Sequence, residues 1–211
     1  MAEFKDLYEA VVVGDRERAV ESAKAALAGG AELQDLLDQG LLPAMDEVGR
    51  RFESDEFFVP ELLIAARAMK GVMELITPLV AEAGVQLRGR IAIGTVRGDL
   101  HDIGKNLVAA MLEGGGFQVI DLGKDVPSDQ FIRAVNESQA QIVALSALLT
   151  TTMPAMRAIV QDIVEAKVRD RVKIIIGGAP VNQKYADEIG ADGYAETASG
   201  AVTLARDLLG A

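Results

Sequence analysis

The single histidine of the chain, His101, lies in the segment RGDLHDIGKN (97–106) between carboxylates and glycines. Asp99, two residues before it, can accept the Nδ1 proton of the imidazole, which leaves the lone pair of Nε2 free and pointing outward. The same arrangement orients and strengthens a metal-bound imidazole. From the residues alone, the segment is compatible with a general base, a metal ligand or a purely structural turn.

Several other chemistries lack the residues they need. A hydrolytic triad on an α/β fold would use a G-x-S-x-G nucleophile turn, and a phosphate loop would use G-x-x-x-x-G-K-[ST] or G-x-G-x-x-G; the sequence contains none of these. A metal site made by protein alone would need more imidazole or thiolate ligands than one histidine and no cysteine. One imidazole suffices if the metal arrives with most of its ligands attached, as in a macrocycle. Lys105, beside Gly104, is expected to be a solvated residue of the first helical turn.

The charge balance limits the partners that the chain can have. The formal net charge is −11, with 32 acidic and 21 basic residues, and such a field repels nucleic acid and anionic lipid. No apolar stretch reaches the roughly 18 residues that a membrane span needs, and the charged N-terminus is unlike a signal peptide. We therefore expect a cytoplasmic protein with no nucleic-acid or membrane partner.

The first part of the chain, residues 1–88, has helical periodicity throughout. Apolar side chains recur every three or four residues, which places them on one face of a helix; two such stripes are Leu41, Met45, Val48, Phe52 and Leu62, Ala66, Met69, Met73, Ile76. Asp15, Gly29-Gly30 and Pro60 are typical helix boundaries. The pattern predicts a bundle of four or five helices, with the stripes as its core.

From about residue 89, short β-rich runs alternate with helical segments. The runs are RIAIGTV, FQVIDLG, AQIVALS, VKIIIGG and ADGYA, and the helices are predicted at about 104–114, 128–138, 153–168, 181–188 and 198–209. This alternation predicts a parallel sheet covered on both faces. We expect an N-terminal helical bundle (1–88) followed by a flavodoxin-like, doubly wound α/β domain with five parallel strands (89–211). Residues 81–89 are predicted to form the hinge.

Polar and small residues follow several of the predicted strands. His101 follows the first strand, Ser146, Thr150 and Thr152 lie at or beyond the end of the third, and Gly177-Gly178 end the fourth. Ligands of open α/β sheets bind outside the carboxyl ends of the strands, so these residues would surround an open trough. A flavin or a nucleotide on the same rim is the plain alternative, although it leaves the pairing of Asp99 with His101 unexplained.

The segment GDLHDIGKN resembles the D-x-H-x-x-G signature of cobalamin-binding modules of the methionine-synthase type. In overall layout the chain is more similar to the small corrinoid proteins of methyl-transfer systems. Further stretches match that pattern in the same order: EFFVPELLIAARAMK (56–70), DLGKDVP (121–127), SALLTTTM (146–153), IIIGGAPV (174–181) and ADGYAETA (191–198). The resemblance covers nearly the whole chain and implies a Rossmann-like B12-binding domain below a helical cap.

The resemblance implies a role for each matching residue. His101 would be the lower axial ligand of cobalt in place of the cofactor's own base (base-off, His-on), Asp99 would hold its tautomer, and Thr152 would stand where the family usually has a serine. The remaining implied cofactor contacts are Asp102, Ile103 and Gly104 below the corrin, Ser146, Leu148 and Thr150 along the nucleotide slot, Gly177 and Gly178 beside it, and Phe58 above the corrin.

The implied function is that of a methyl carrier, a subunit that is not catalytic alone. A donor-specific methyltransferase would load a methyl group onto the cobalamin or related corrinoid, and an acceptor methyltransferase would pass it to tetrahydrofolate or a thiol; a reductive activator is a further implied partner. A cobalamin-dependent sensor or regulatory module is the alternative, and the small subunit of a radical isomerase ranks below it. Methanol, a methylamine, a betaine and an aryl methyl ether all remain open as donors.

Overall fold

The computed structural model describes residues 4–83 and 87–210, except for the side chains of residues 80–83. Its backbone divides into two compact units, one containing the chain up to Leu87 with Glu113–Gly116 and the other Arg88–Leu112 with Phe117–Ala211. The limits 1–88 and 89–211 remain a proposal for independently folding domains. Residues 84–86 of the predicted hinge lie outside the described residues, and its mobility stays a prediction.

The first unit is helical, as the periodicity predicts. Its helices are α1 (Lys5–Val12), α2 (Arg16–Ala28), α3 (Leu33–Asp35), a π-helical segment (Leu36–Leu41) that continues into α4 (Leu42–Glu53), and α5 (Val59–Ala83). Asp15 begins α2 because its side chain accepts a hydrogen bond from Arg18 N. At the start of α5, Glu61 accepts a hydrogen bond from Phe58 N at 3.0 Å, which is half of a capping box.

The core of this unit uses both predicted stripes. The fully buried members are Leu41, Met45, Val48, Leu62, Ala66, Met69 and Ile76, whereas Phe52 and Met73 are only partly covered. The stripes are therefore confirmed as core-packing faces. No helix among the described residues is long and apolar enough to cross a membrane.

The second unit contains the five-stranded sheet. Its strands are β1 (Arg90–Thr95), β2 (Gln118–Asp121), β3 (Ile142–Ser146), β4 (Lys173–Gly177) and β5 (Gly193–Tyr194). They pair in the order β2-β1-β3-β4-β5 and all pairs are parallel. This is the flavodoxin-like order. Strand β2 is added on one side of β1 and the strands from β3 onward on the other side, so the strand order reverses between β1 and β3. The predicted fold class is confirmed.

The helices of this unit are α6 (Ile103–Gly114), α7 (Ser128–Glu137), α8 (Met153–Glu165), α9 (Gln183–Ile189) and α10 (Ala198–Leu209). Two helix ends differ from their predicted positions for local reasons. Helix α8 stops at Glu165 rather than 168, shortly before Lys167 takes a left-handed φ of 58°. Helix α9 starts at Gln183 rather than 181, because the Asn182 side chain caps it by accepting from Tyr185 N.

The two faces of the sheet differ in how they are filled. One face packs against α7, α8 and α9 in a continuous core of buried side chains, with Ala92, Val143, Leu145, Ile174 and Ile176 as its strand members. Successive side chains of a strand point to opposite faces, so Ile93, Ala144 and Ile175 face the other way. These three side chains are buried as well, and this part of the second face forms the wall of a cavity.

Candidate functional site

A cavity of about 730 Å³ lies at the carboxyl ends of β1, β3 and β4. Sheet residues Ile93, Ala144 and Ile175 line it together with residues of α6 and α10. Protein interiors are packed to the density of organic crystals, whereas small-molecule sites usually have volumes of a few hundred to about 1,000 Å³. An opening of this size on the apolar face of a sheet is therefore a ligand site rather than a packing defect.

Asp99, two residues before the cavity-lining His101, has a fully buried side chain that accepts several hydrogen bonds. Its Oδ1 accepts from His101 N at 3.0 Å and lies 2.7 Å from His101 Nδ1. Its Oδ2 accepts from Leu148 N, Leu149 N and Thr152 Oγ1 at 2.8, 3.3 and 2.7 Å. Burial opposes ionisation, but the hydrogen bonds from Thr152, Leu148 and His101 outweigh it and hold the pKa of Asp99 far below its usual range.

The ionised Asp99 determines the tautomer of His101. A carboxylate only accepts hydrogen bonds, so the imidazole nitrogen 2.7 Å away, Nδ1, must carry a proton. In the neutral ring, Nε2 then has the free lone pair. The imidazole is 51% exposed and borders the cavity, so its basic nitrogen is available to a ligand.

Thr152 extends this arrangement by one hydrogen bond. Its Oγ1 lies 2.7 Å from Asp99 Oδ2 and 2.9 Å from the carbonyl oxygen of Leu149. A hydroxyl has one proton to donate, and the closer, charged acceptor forms the stronger bond. Thr152, Asp99 and His101 therefore form a continuous chain of hydrogen bonds that ends at Nδ1, and Nε2 lies on the other side of the ring.

The loop between β2 and α7 braces the histidine loop from the side. Asp125 Oδ1 accepts from Gly98 N at 2.7 Å, and Asp125 N donates to the carbonyl oxygen of Asp99 at 3.1 Å. Asp125 takes a left-handed φ of 56° to make both contacts, a conformation that aspartate tolerates better than most residues. The loop sequence DLGKDVP matches the family pattern, but it does not by itself predict this role of Asp125.

Lys105 corrects a prediction made from the sequence. It is buried rather than solvated, with 1% of its side chain exposed, and its Nζ lies 2.6 Å from both carboxylate oxygens of Asp121. The burial results from the register of β1 and β2, which places Asp121 beside the first turn of α6. Local sequence does not show this pairing, because the partners are sixteen residues apart.

The other predicted contact residues are not all brought to the cavity. Asp102, Ile103, Gly104, Ser146 and Leu148 line it, and Ile103 is 84% exposed. Thr150 is exposed in the turn between β3 and α8 and does not line the cavity. A contact of Thr150 with the nucleotide tail therefore stays a prediction.

The paired glycines Gly177 and Gly178 also border the cavity. At Gly178 the backbone conformation and the neighbouring strand end require glycine. Gly178 has a φ of 127°, and a Cβ there would overlap the carbonyl oxygen of Ala147. Neighbouring strand ends therefore approach so closely that only glycine fits. Phe58 belongs to the helical unit, directly before α5, with 62% of its side chain exposed; its predicted role above a corrin stays a prediction.

Fold and site together define a flavodoxin-like ligand-binding module with a carboxylate-held imidazole at the mouth of its cavity. Comparison with known families agrees: a B12 binding domain matches residues 89–203, and a second B12 binding domain matches residues 3–77. The chain belongs to the B12-binding corrinoid proteins of methyltransferase systems.

Individual relatives resemble the chain over most of its length. It is 46% identical to the trimethylamine corrinoid protein of Methanosarcina barkeri over 203 residues, which are 95% of this chain and 94% of that protein. It is 39% identical to a corrinoid protein of Desulfitobacterium hafniense over 213 residues, 100% of this chain and 99% of that one. In the crystal structure of the methanol:cobalamin methyltransferase complex MtaBC from Methanosarcina barkeri, the matching chain is 29% identical with a TM-score of 0.87, covering 99% of this chain and 80% of that one.

The site fits the corrinoid that this family binds. The 51% exposed imidazole presents a basic nitrogen, whereas no group of three or more His, Cys, Asp or Glu within the described ranges is arranged to hold a metal ion. The imidazole would supply one ligand to a metal that carries its other ligands with it, as the cobalt of a corrinoid does. Exposed apolar side chains at the mouth, Leu100, Ile103 and Leu148, suit a flat apolar macrocycle, and the cavity behind them suits its tail.

Proposed function

We propose that this chain carries a methyl group on its corrinoid between a donor-specific methyltransferase and an acceptor methyltransferase. The observation that supports this most strongly is the imidazole of His101, held by the buried carboxylate of Asp99 with Nε2 free at the cavity mouth. When bound, the corrinoid supplies a cobalt atom that can accept and release a methyl group. The residues of the chain position that atom and balance its charge.

His101 would be the lower axial ligand through Nε2. For that nitrogen to bind, the corrinoid's own base must leave the metal, and the 730 Å³ cavity offers the space for the displaced nucleotide tail. Ser146 and Leu148 line that space, and Asp102, Ile103 and Gly104 would lie below the ring. Because a Cβ at Gly104 would have nothing within 4 Å, this part of the loop offers room for a close approach.

Asp99 would hold the imidazole in position both when Nε2 binds the metal and when it does not. When Nε2 binds a metal, Nδ1 donates to Asp99 and the imidazole becomes more electron-rich. The carboxylate 2.7 Å from Nδ1 would hold the ring in the same orientation when Nε2 is not bound to the metal. Thr152 and the amide of Leu148 keep Asp99 ionised throughout.

The helical unit would cover the upper face of the corrinoid, with Phe58 as its aromatic contact. Its exposed apolar residues, Phe58, Val59, Leu63 and Ile64, would need a partner surface in the working protein. A partner's active site can reach the methyl group only if this cover moves aside, so we expect the segment 81–89 to act as the hinge.

The donor enzyme would be one that acts on an N-methylated compound. The relative named for trimethylamine is 46% identical, whereas the chain from the methanol system is 29% identical. Tetrahydrofolate or a thiol would be the final acceptor, and a reductive activator would restore the corrinoid after oxidation. The regulatory alternative has no comparable support, because the relatives above are named for corrinoid and methyltransferase systems.

A methyl-transfer assay tests the proposal. The chain is loaded with methylcobalamin carrying an isotopically labelled methyl group, desalted, and mixed with a thiol or tetrahydrofolate, with and without an acceptor methyltransferase of a methylamine system. Transfer is expected only with the enzyme present. The matched control is His101→Gln, which keeps a polar side chain but offers no imidazole, and it should transfer more slowly with the same enzyme.

Two outcomes would contradict the proposal. Rapid transfer to the free acceptor without an enzyme would mean that the chain is itself catalytic. A corrinoid that stays bound and methylated with every donor and acceptor enzyme tried would favour the regulatory alternative.

A further inference from the structure

Four polar or charged residues are buried in the described parts of the chain: Thr95, Asp99, Lys105 and Thr152. Asp99 and Thr152 hold the imidazole, and Lys105 pairs with Asp121. The fourth, Thr95, does not line the cavity. We propose that Thr95 is a positioning residue that fixes the backbone of His101 and thereby the direction of Nε2, an inference that rests on the proposed ligand role of His101.

The contact that carries this inference joins a strand to the histidine loop. Thr95 ends β1, and its Oγ1 donates to the carbonyl oxygen of His101 at 2.9 Å. The side chain is completely buried, and a buried hydroxyl in an otherwise apolar strand needs a hydrogen-bond partner. Its partner here is the residue whose side chain reaches the ligand.

Thr95 can act as a fixed point because its own backbone is held on both sides. Its N donates to the carbonyl oxygen of Gly123 at 3.0 Å, and its carbonyl oxygen accepts from Val126 N at 3.0 Å. On the other side it is in register with Ser146 of β3. The hydroxyl therefore projects from one of the most constrained positions of the sheet.

With this bond, His101 is anchored at three atoms. Asp99 Oδ1 accepts from its backbone N and its Nδ1, and Thr95 fixes its carbonyl oxygen. The hydrogen-bond ladder of α6 begins only at the next residue, with Asn106 N donating to Asp102 O. Without the Thr95 hydroxyl, the carbonyl group of His101 would lose this hydrogen bond, and we expect the His101 backbone, and with it the imidazole, to sample more positions.

The test compares Thr95→Val, which has nearly the same shape without the hydroxyl, with Thr95→Ser, which restores it. Ile91→Val is the control for a small defect in the same buried strand. Each full-length variant is incubated with hydroxocobalamin and desalted, and the visible spectrum and dissociation rate of the retained corrinoid are measured. His101→Ala provides the spectrum without the imidazole ligand.

We expect Thr95→Val to shift the spectrum partly toward that of His101→Ala and to release the corrinoid roughly fivefold to tenfold faster, the effect of about one lost hydrogen bond. Thr95→Ser and Ile91→Val should resemble the unmodified chain. A Thr95→Val spectrum identical to the unmodified one would overturn the positioning role alone. If His101→Ala also left the spectrum unchanged, the ligand role of His101 in the proposed function would fail instead.

A second measurement needs no cofactor. Because His101 is the only histidine, ¹⁵N-histidine labelling gives the NMR signals of one imidazole. In the corrinoid-free chain, Thr95→Val should broaden or split these signals as the ring samples several positions, and Thr95→Ser should keep them single. Sharp, unshifted signals in Thr95→Val would contradict the anchoring.

Discussion

Two pairs of hydrogen-bonded side chains lie at the loop after β1 and the start of α6, and the buried member is the carboxylate in one pair and the cation in the other. In the pair of Asp99 and His101, the carboxylate is fully buried and the imidazole is 51% exposed. In the pair of Lys105 and Asp121, the ammonium is 1% exposed and the carboxylate 45% exposed. Each pair thus has one member inside the domain and one that reaches solvent.

The difference lies in how the buried member is satisfied. Asp99 accepts hydrogen bonds from Leu148, Leu149 and Thr152 as well as from His101. Both hydrogen bonds that the structure gives the Lys105 ammonium go to Asp121. Replacing the imidazole therefore leaves Asp99 with its other hydrogen-bond donors, whereas removing the Asp121 carboxylate takes away both hydrogen bonds of the buried Lys105 ammonium. The Asp99–His101 pair is therefore suited to ligand binding, because the buried carboxylate is hydrogen-bonded even without the imidazole.

The largest expected effect is on the second pair. Asp121→Ala should lower the free energy of unfolding by about 3–5 kcal/mol, because it leaves the Lys105 charge buried without a partner. Lys105→Met, the matched control, should cost only about 1 kcal/mol, since the half-exposed Asp121 is then solvated. Urea unfolding of both variants and of the double variant measures this asymmetry. Equal costs for the two single variants would contradict it.

Asp99→Asn should be the next most costly change. The neutral amide loses the charge-assisted bonds to Thr152 and to the backbone of Leu148, at an expected cost of about 2–3 kcal/mol. It also removes the reason for Nδ1 to carry the proton, so the ¹⁵N-histidine signals should move toward a mixture of tautomers. If the tautomer of Asp99→Asn equals that of the unmodified chain, Asp99 does not determine it.

The Asp99 carboxylate also makes the free energy of unfolding depend on pH. The pKa of Asp99 is lowered in the folded state, so its contribution to stability is complete above the unfolded value of about 3.9 and is lost as the pH falls below it. Acid titrations of unfolding should therefore be steeper for the unmodified chain than for Asp99→Asn in this range. Parallel curves would show that the carboxylate is not preferentially ionised in the fold.

Thr152→Val should have a smaller effect. It removes one of the hydrogen bonds to Asp99 and should cost about 1 kcal/mol, while the remaining donors keep the tautomer of His101. Thr152→Ser, which keeps the hydroxyl, serves as the control in the same unfolding measurement. A change of tautomer in Thr152→Val would mean that Asp99 depends on this hydroxyl more than the geometry implies.

His101→Ala should have the smallest effect on stability, below about 1 kcal/mol, because the ring is half exposed and Asp99 keeps its other donors. His101→Ala and Asp121→Ala each remove the exposed member of a pair. Comparing their losses of unfolding free energy is the sharpest test of the difference between the two pairs. Similar losses of unfolding free energy in the two variants would refute it.

Much of this architecture can be read from the sequence. The alternation of strands and helices predicts the parallel sheet, and its five units predict the flavodoxin-like class. The two-residue spacing of Asp99 and His101 predicts their contact. The position of Thr152 matched a family pattern, and the structure brings its hydroxyl to Asp99 across 53 residues.

What local sequence misses depends on register and on the path of loops. Lys105 reads as a surface residue, because nothing near it indicates that the end of β2 will lie beside it. Thr95 gives one signal in the sequence, a hydroxyl at the end of a strand whose preceding residues are apolar after Arg90. This signal predicts a hydrogen bond but not its acceptor.

The most direct test of the central claim uses the single histidine of the chain. The protein is labelled with ¹⁵N at histidine only, loaded with cobalamin, reduced to the Co(II) state and examined by electron paramagnetic resonance. If His101 Nε2 is the lower ligand, the triplet splitting from an axial ¹⁴N in the unlabelled sample becomes a doublet in the labelled one. A triplet in both samples would show that the cofactor's own base stays on cobalt and would contradict the account.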